Sequence, residues 1–282
     1  MKEIIRVKTA GFCFGVKRAV KLAEDTGDKF KGKKIYTFGE LIHNRDVVND
    51  LENKGIKITE NSNVKNSVVI LRSHGIEKNI LENLEKNKNI IIDATCPYVK
   101  KIHKSVEKLN DEGYFIVIIG DKEHPEVKAI ASYSKEDNFK IISSEKEIDI
   151  NFFKKKGKIG IVAQTTQSLE NFLNICKKII TLKKEFKIYN TICDSTSIRQ
   201  KETIEVAKKV DCMIVVGGKN SANTKRLYEI SKELLSNVYH IENKDELDLN
   251  LLKNFNKIGV TAGASTPEEI IEGVIQKIRG LK

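Results

Sequence analysis

Three of the five cysteines in this 282-residue chain stand where a strand-like run gives way to a helical pattern: Cys13 in AGFCFGVKRAV, Cys96 in DATCPYVK and Cys193 in TICDSTS. Pro97 at a first helical position, and the cap-type residues Asp194, Ser195 and Thr196, mark helix starts beside two of them. The positive end of a helix favours the thiolate, the form that binds metal. Three thiolates without a fourth are informative. An electron-transfer [4Fe–4S] cluster takes four cysteines, so three leave one iron with a position open to a substrate oxygen. Cys176 and Cys212 read differently, one on the apolar helical face of SLENFLNICKKII and the other opening CMIVV. Both are expected to be small buried hydrophobes. An odd cysteine count with no export signal makes a disulfide framework unexpected, and the lack of a CxxC pair argues against a zinc ribbon or a thioredoxin-type site.

A second set of residues offers donors without carboxylates. His43, His74, His124, Thr166, Ser221, Asn223 and Ser265 each follow a strand-like run and precede a helix. Imidazole, hydroxyl and amide groups at helix starts suit a phosphate or diphosphate. Glu126, two residues after His124, is the one carboxylate inside such a motif. An acid in a first helical turn is favoured by the helix dipole alone. Beside an anionic ligand, burial would also raise its pKa and make it the proton donor to an oxygen leaving group. Both readings stand at this point. His103, beside an apolar helical stripe, and His240, in a polar connection, are assigned to neither set.

The elements that must position these groups alternate, which points to parallel α/β units. Strands are expected at Ile35–Phe38, Val68–Leu71, Ile90–Ile92, Phe115–Ile119, Ile159–Val162, Lys187–Tyr189, Met213–Val216 and Ile258–Val260. Helices are expected at Val16–Asp25, Val47–Lys54, Lys78–Asn87, Tyr98–Glu112, Glu126–Ser134, Leu169–Phe186, Ser197–Val210, Thr224–Leu235 and Pro267–Arg279. The order also repeats. In YTFGELIHNRDVV, IVIIGDKEHPEVK and MIVVGGKNSANTKRL, a glycine (Gly39, Gly120, Gly217) lies four residues before His43, His124 or Ser221. VVILRSHG, IGIVAQTT and IGVTAGAS form a second set; IIDATC, IYNTIC and the looser IRVKTAGFC form a third. Three α/β units follow: 14–95, 96–192 and 193–282. The last lacks a closing strand while the segment 1–12 holds a spare one at Glu3–Val7, which is expected to complete the third unit and close a ring of three. Ligands of parallel sheets sit beyond the carboxyl ends of the strands, so one pocket is expected from all three units.

Composition narrows the function. Hydrophobic residues at 40% and charged residues at 32% describe a globular chain rather than a disordered one. No run is long and apolar enough to span a bilayer and no cleavable leader is visible, so a soluble cytoplasmic protein is expected. Fifty basic against 39 acidic residues give a net charge of +11, yet only seven of the basic residues are arginine. Scarce guanidinium forks and the lack of a stacking-type aromatic motif argue against nucleic-acid binding. The lysines either decorate a solvated surface or steer acidic partners and phosphorylated substrates.

Nine ordered motifs, AGFCFGVKRAV, GELIHNR, RSHG, DATCP, GDKEHPEV, QTTQS, CDST, NSANTKRL and GASTPEE, run over essentially the whole chain. Together they resemble the LytB family of 4-hydroxy-3-methylbut-2-enyl diphosphate reductases, the last step of the methylerythritol phosphate route to isoprenoids. The resemblance implies a three-domain α/β trefoil around a [4Fe–4S] cluster bound by Cys13, Cys96 and Cys193. It implies a diphosphate pocket from His43, His74, His124, Ser221, Asn223 and Ser265, with Thr165 bonding the substrate alcohol and Glu126 as proton source. It further implies a two-electron, two-proton reductive dehydroxylation fed by a ferredoxin or flavodoxin. One departure is Ala222, where the family often has a second serine. Losing that hydroxyl is expected to cost about 0.5–1.5 kcal/mol of binding, with a backbone N–H able to serve instead. The rival reading is a non-redox repeat protein that binds a phosphate ligand and whose cysteines are incidental.

Overall fold

Strands that read as continuous apolar runs need cover on both faces of their sheet. The computed structural model, which describes residues 2–182 and 184–281, provides it. In chain order the strands are β1 Glu3–Arg6, β2 Ile35–Phe38, β3 Ile56–Thr59, β4 Val68–Leu71, β5 Ile90–Asp93, β6 Phe115–Ile119, β7 Phe139–Ile142, β8 Lys158–Ala163, β9 Glu185–Ile188, β10 Cys212–Val216, β11 Val238–Ile241 and β12 Lys257–Ala262. The helices are α1 Phe14–Lys29, α2 Arg45–Asn53, α3 Lys78–Lys86, α4 Pro97–Asp111, α5 Pro125–Ser132, α6 Ile150–Lys154, α7 Leu169–Ile179, α8 Asp194–Ala207, α9 Ala222–Leu234 and α10 Glu268–Arg279. They form three four-stranded sheets of one topology, ordered β1-β12-β10-β11, β3-β2-β4-β5 and β7-β6-β8-β9, with every pairing parallel.

The chain divides into two compact units: Met1–Lys17, Ile42–Asp50 and Asp194–Lys282 form the first, and Arg18–Leu41 with Leu51–Cys193 form the second. In the first, the N-terminal strand β1 pairs with β12, Glu3 opposite Lys257 and Arg6 opposite Val260. Alternate residues of β10 serve two cores. Cys212, Ile214 and Val216 pack with Ile258, Val260, Ile271 and Val274, while Met213 and Val215 face Leu227 and Val238. The second unit holds the other two sheets. Within it Phe115, Val117 and Ile119 of β6 pack with Phe153, Phe172 and Ile175, and Ile116 and Ile118 meet Ile102, Val106, Val127 and Ile130. Each fully buried side chain of this size contributes about 1.5–3 kcal/mol.

Several elements differ from expectation. β3, β7 and β11 were not anticipated, and each is the edge strand beside β2, β6 or β10. Their sequences IKIT, FKII and VYHI are short, half-buried and broken by Lys57, Lys140 or His240, so neither period nor content marks them. His240 therefore lies in a strand rather than a connection, and its Nε2 donates to the Gly217 carbonyl at 2.9 Å. The helix expected to run to Phe186 stops at Ile179, and Phe186 belongs to β9, which ends before Tyr189; Lys183, inside that expected span, lies outside the described residues. The short α6, started by Asp149 accepting from the Asn151 and Phe152 N–H groups, was also unexpected. Among the described residues no helix is long and apolar enough to cross a membrane.

Strand order reverses between β2 and β4, between β6 and β8, and between β10 and β12, and ligands of open parallel sheets bind beyond such points. The glycine after the first strand of each pair is held in the same way. Gly39, Gly120 and Gly217 donate their N–H to the last carbonyl of the edge strand: Thr59 at 2.8 Å, Ile142 at 3.0 Å and Ile241 at 2.9 Å. Gly217 has φ 140°, and a Cβ there would stand 2.5 Å from Thr266 Oγ1. We expect Gly217→Ala to destabilise the protein by about 1–3 kcal/mol in urea unfolding, moving the midpoint without changing the slope; an unchanged midpoint would show that the turn tolerates a side chain.

Candidate active site

The three junction cysteines share one local frame. Cys13 N–H donates to the Ala264 carbonyl at 3.2 Å, Cys96 N–H to Ser73 at 2.8 Å, and Cys193 N–H to Thr165 at 2.9 Å. Every acceptor is the second residue beyond an inner strand: β12, β4 or β8. Every cysteine immediately precedes a helix: α1, α4 or α8, with Pro97 at the first position of α4. None of the five cysteines is in a disulfide, and these three are partly exposed. Cys176 and Cys212 are buried as expected. Burial pushes the Cys176 thiol up to about 11, and burial with the Asp211 charge pushes Cys212 up to about 12. The chain thus separates three thiols suited to metal from two held protonated.

In the second unit, Glu126 is 3% exposed at the second position of α5, after His124 as cap and Pro125. Its Oε1 accepts the Thr165 N–H at 2.6 Å and its Oε2 accepts the Thr165 hydroxyl at 2.7 Å, spanning the crevice between β6 and β8. His124 Nδ1 accepts the Glu126 N–H at 3.1 Å, so the neutral ring carries its proton on Nε2. The rings of His74 and His124 meet edge-on, 6.1 Å between centroids. Thr165 also supplies the carbonyl that holds Cys193, so His74, His124, Glu126, Thr165 and Cys193 form one connected set. Thr166 is half-buried next to it. Gln164 was missed by sequence reasoning. It is 3% exposed, accepts the Asp121 N–H at 3.1 Å, and its buried Nε2 has no partner among the described residues. Its place in the repeated QTT turn was the available signal. His103 is a support: burial lowers its pKa to about 4, its ring stacks on Tyr133 at 4.1 Å, and it fills the space where a Cβ on Gly75 would stand, beneath the turn carrying His74.

In the first unit, Ser265 donates its hydroxyl to the His43 carbonyl at 3.0 Å, and the same carbonyl lies 2.9 Å from where a Cβ on Gly218 would stand. His43, the turn at Gly217-Gly218 and Ser265 thus share the crevice between β10 and β12. Ser221 caps α9, accepting the Thr224 N–H at 3.4 Å, and Ala222 is the first helical residue. Asn223 is 5% exposed, and neither end of its amide has a partner among the described residues. A buried amide unsatisfied at both ends is rare in a native fold unless a ligand or water completes it. In the first copy of the repeat the capping role falls to Asn44, which accepts the Val47 N–H at 3.1 Å, so His43 sits one residue ahead of the cap.

In each unit polar side chains and partly exposed thiols stand at the carboxyl ends of parallel strands, and in the second unit a buried carboxylate bonds a hydroxyl, the placement expected of an α/β protein that binds its ligand at strand ends. The profile of the family described as LytB protein matches residues 4–279. A 4-hydroxy-3-methylbut-2-enyl diphosphate reductase from Aquifex aeolicus is 48% identical over 99% of this chain and 96% of its own length. One from Geotalea uraniireducens is 45% identical over 98% and 96%. Among solved structures, (E)-4-hydroxy-3-methyl-but-2-enyl diphosphate reductase, described as the terminal enzyme of the non-mevalonate pathway, is 46% identical with a TM-score of 0.72 over 99% of both chains. The Plasmodium falciparum reductase is 32% identical with a TM-score of 0.90 over 98% of this chain and 87% of that one. This chain belongs to the LytB family.

Thiol chemistry checks the division of the cysteines. Brief alkylation of the metal-free folded protein should modify Cys13, Cys96 and Cys193 and spare Cys176 and Cys212, with all five modified after denaturation, as read by peptide mass spectrometry. Equal labelling of all five in the folded state would remove the distinction.

Proposed function

We infer that this chain reduces 4-hydroxy-3-methylbut-2-enyl diphosphate to isopentenyl and dimethylallyl diphosphate. The observation that carries the reading is Thr165, whose hydroxyl and N–H both bond Glu126 while its carbonyl holds the N–H of Cys193. Proton source, substrate-facing hydroxyl and a proposed metal ligand meet at one residue.

Cys13, Cys96 and Cys193 are the proposed ligands of one [4Fe–4S] cluster. The donor set fits: three thiols at helix starts in matching backbone frames, while the two remaining thiols are buried. Thiolate is the ligand type that an iron–sulfur cluster takes. Held by those three thiolates, such a cluster would pass on electrons and act as a Lewis acid.

The remaining chemistry belongs to the chain. Ser221, Asn223, Ser265 and His43, with His74 and His124, are the proposed diphosphate donors, and the backbone N–H of Ala222 replaces the hydroxyl found in many relatives. His124 presents Nε2–H because Nδ1 is occupied. Thr165 orients the alcohol. When Glu126 is protonated, its O–H donates to Thr165 Oγ1, whose own hydrogen turns to the substrate hydroxyl; the C–O bond then breaks and water leaves. Two electrons and a second proton complete the balance, and the carbon that takes that proton decides between the two isomeric products. A reducing cytoplasm suits thiol ligands, and a net charge of +11 suits an acidic carrier such as a ferredoxin or flavodoxin.

The test is anaerobic purification with visible and EPR spectra, followed by turnover. Glu126→Gln should keep the spectra and KM yet lose about 10²–10⁴ in kcat; normal turnover would exclude the proton role. Asn223→Ala should raise KM more than it lowers kcat. A protein colourless after oxygen-free purification would instead favour the non-redox phosphate-binding reading. Reduction by an acidic protein carrier should slow as salt rises, and a rate indifferent to salt would leave the lysine excess without a part in electron delivery.

A further inference from the structure

Lysine outnumbers arginine 43 to seven in this chain, so each place that keeps a guanidinium is informative. Arg18, on α1, donates Nη2 to the Asp93 carbonyl at 3.3 Å and Nη1 to the Thr95 carbonyl at 3.2 Å. These carbonyls lie two residues apart, directly before Cys96. Arg199, on α8 and 2% exposed, donates Nε to the Thr9 carbonyl at 2.8 Å and Nη2 to the Gly11 carbonyl at 2.7 Å. Those carbonyls are again two residues apart, the nearer one two residues before Cys13. Each contact lies within one compact unit, the first in the second unit and the second in the first. The same device thus occurs twice: a fork on the helix that follows one cysteine grips the loop that leads into another.

The loop before Cys13 is held further. Glu202, one turn along α8, accepts the Thr9 N–H at 2.9 Å and the Thr9 hydroxyl at 2.7 Å. Arg6 donates to the Ala10 carbonyl at 3.2 Å. Gly11, at φ 107°, makes a turn that L side chains avoid, with Ile271 Cδ1 3.1 Å from where its Cβ would stand. Burying a guanidinium is costly, and an apolar replacement in such a place is often neutral or stabilising. A charge kept there for stability alone is hard to justify; one kept to fix a loop is not. Only a planar fork spans alternate carbonyls with fixed geometry, since an ammonium is a single rotating point.

We propose that Arg18 and Arg199 are positioning residues for the iron–sulfur cluster, each setting where the thiolate of Cys96 or Cys13 stands. This rests on the reading that those cysteines bind the cluster. The experiment reconstitutes the full chain without oxygen as wild type, Arg18→Lys, Arg199→Lys, Cys13→Ala and, as a surface control, Arg279→Lys. It measures iron and sulfide per chain, the EPR spectrum after reduction, the rate of loss of visible absorbance to a chelator, and thermal unfolding of the cluster-free chain. Arg18→Lys and Arg199→Lys should lose the cluster roughly ten- to a hundredfold faster than wild type. Their EPR spectra should be altered and their cluster-free unfolding temperatures near that of wild type, with Arg279→Lys unchanged throughout. Wild-type cluster retention and spectra in both lysine variants would overturn the proposal, as would faster loss matched by an equal drop in cluster-free stability. Should Arg199→Lys not fold, Glu202→Gln, at a partly exposed position, tests the same loop beside Arg18→Lys. A wild-type chain that takes up no iron and sulfide, or a Cys13→Ala chain that holds them as wild type does, overturns the ligand reading itself and is told apart by those two samples.

Discussion

One backbone hydrogen bond, made three times, organises this protein. The N–H of each junction cysteine is given to the carbonyl two residues beyond an inner strand, at 3.2, 2.8 and 2.9 Å. Such a bond ties the start of a helix to the carboxyl end of a parallel sheet. It therefore sets each cysteine and the helix start behind it at the end where strand order reverses, the end at which open parallel sheets bind ligands. It also explains why the repeat survives chemical drift. The acceptor is main chain, so Ala264, Ser73 and Thr165 serve alike, and the side chain at that level is left to differ. Of these three acceptor residues, only Thr165 also bonds a buried carboxylate through its side chain.

What was legible in the residues follows from the same physics. Inner strands such as VVIL of β4 and IGIVA of β8 are buried on both faces and announce themselves as unbroken runs without a polar side chain. The outer strands β3, β7 and β11 are half-exposed and carry Lys57, Lys140 and His240, so nothing local marks them; they exist because an inner strand offers them a free edge. The run Leu169–Phe186 misled for a related reason. Its apolar spacing continues past Ile180 as though helical, while a strand begins at Glu185. The turns after the inner strands were legible where a repeat aligned them, as with Gly39, Gly120 and Gly217. The loop-gripping arginines were not, because a side chain that bonds distant backbone leaves no periodic trace; only their scarcity set them apart.

Two of the polar residues at the crevices serve as helix caps, and the capping bond decides which hydrogen-bonding group each has left. His124 and Ser221 cap helices by accepting an N–H, through Nδ1 and Oγ respectively. Capping consumes an acceptor and leaves the donor, since a neutral imidazole then carries hydrogen on Nε2 and a hydroxyl keeps its own. A cap of this kind is thus fixed as a donor to whatever lies in the crevice, which is the polarity an anionic diphosphate needs. An aspartate would cap as well but would present only acceptors to the crevice.

The same logic bears on Ala222. The N–H groups of a helix's first turn have no acceptor within the helix, and Ala222 opens α9 directly after the Ser221 cap. A serine there would add one hydroxyl to a place already supplied with backbone donors, so its loss trims redundancy rather than removing a function. Asn223 has no such reserve. Its amide is buried and unmatched at both ends by the described residues, so the cost of its desolvation is offset only when a ligand or an ordered water is present. Of these two neighbours, the asparagine is therefore the one whose side chain needs a partner from outside the described residues.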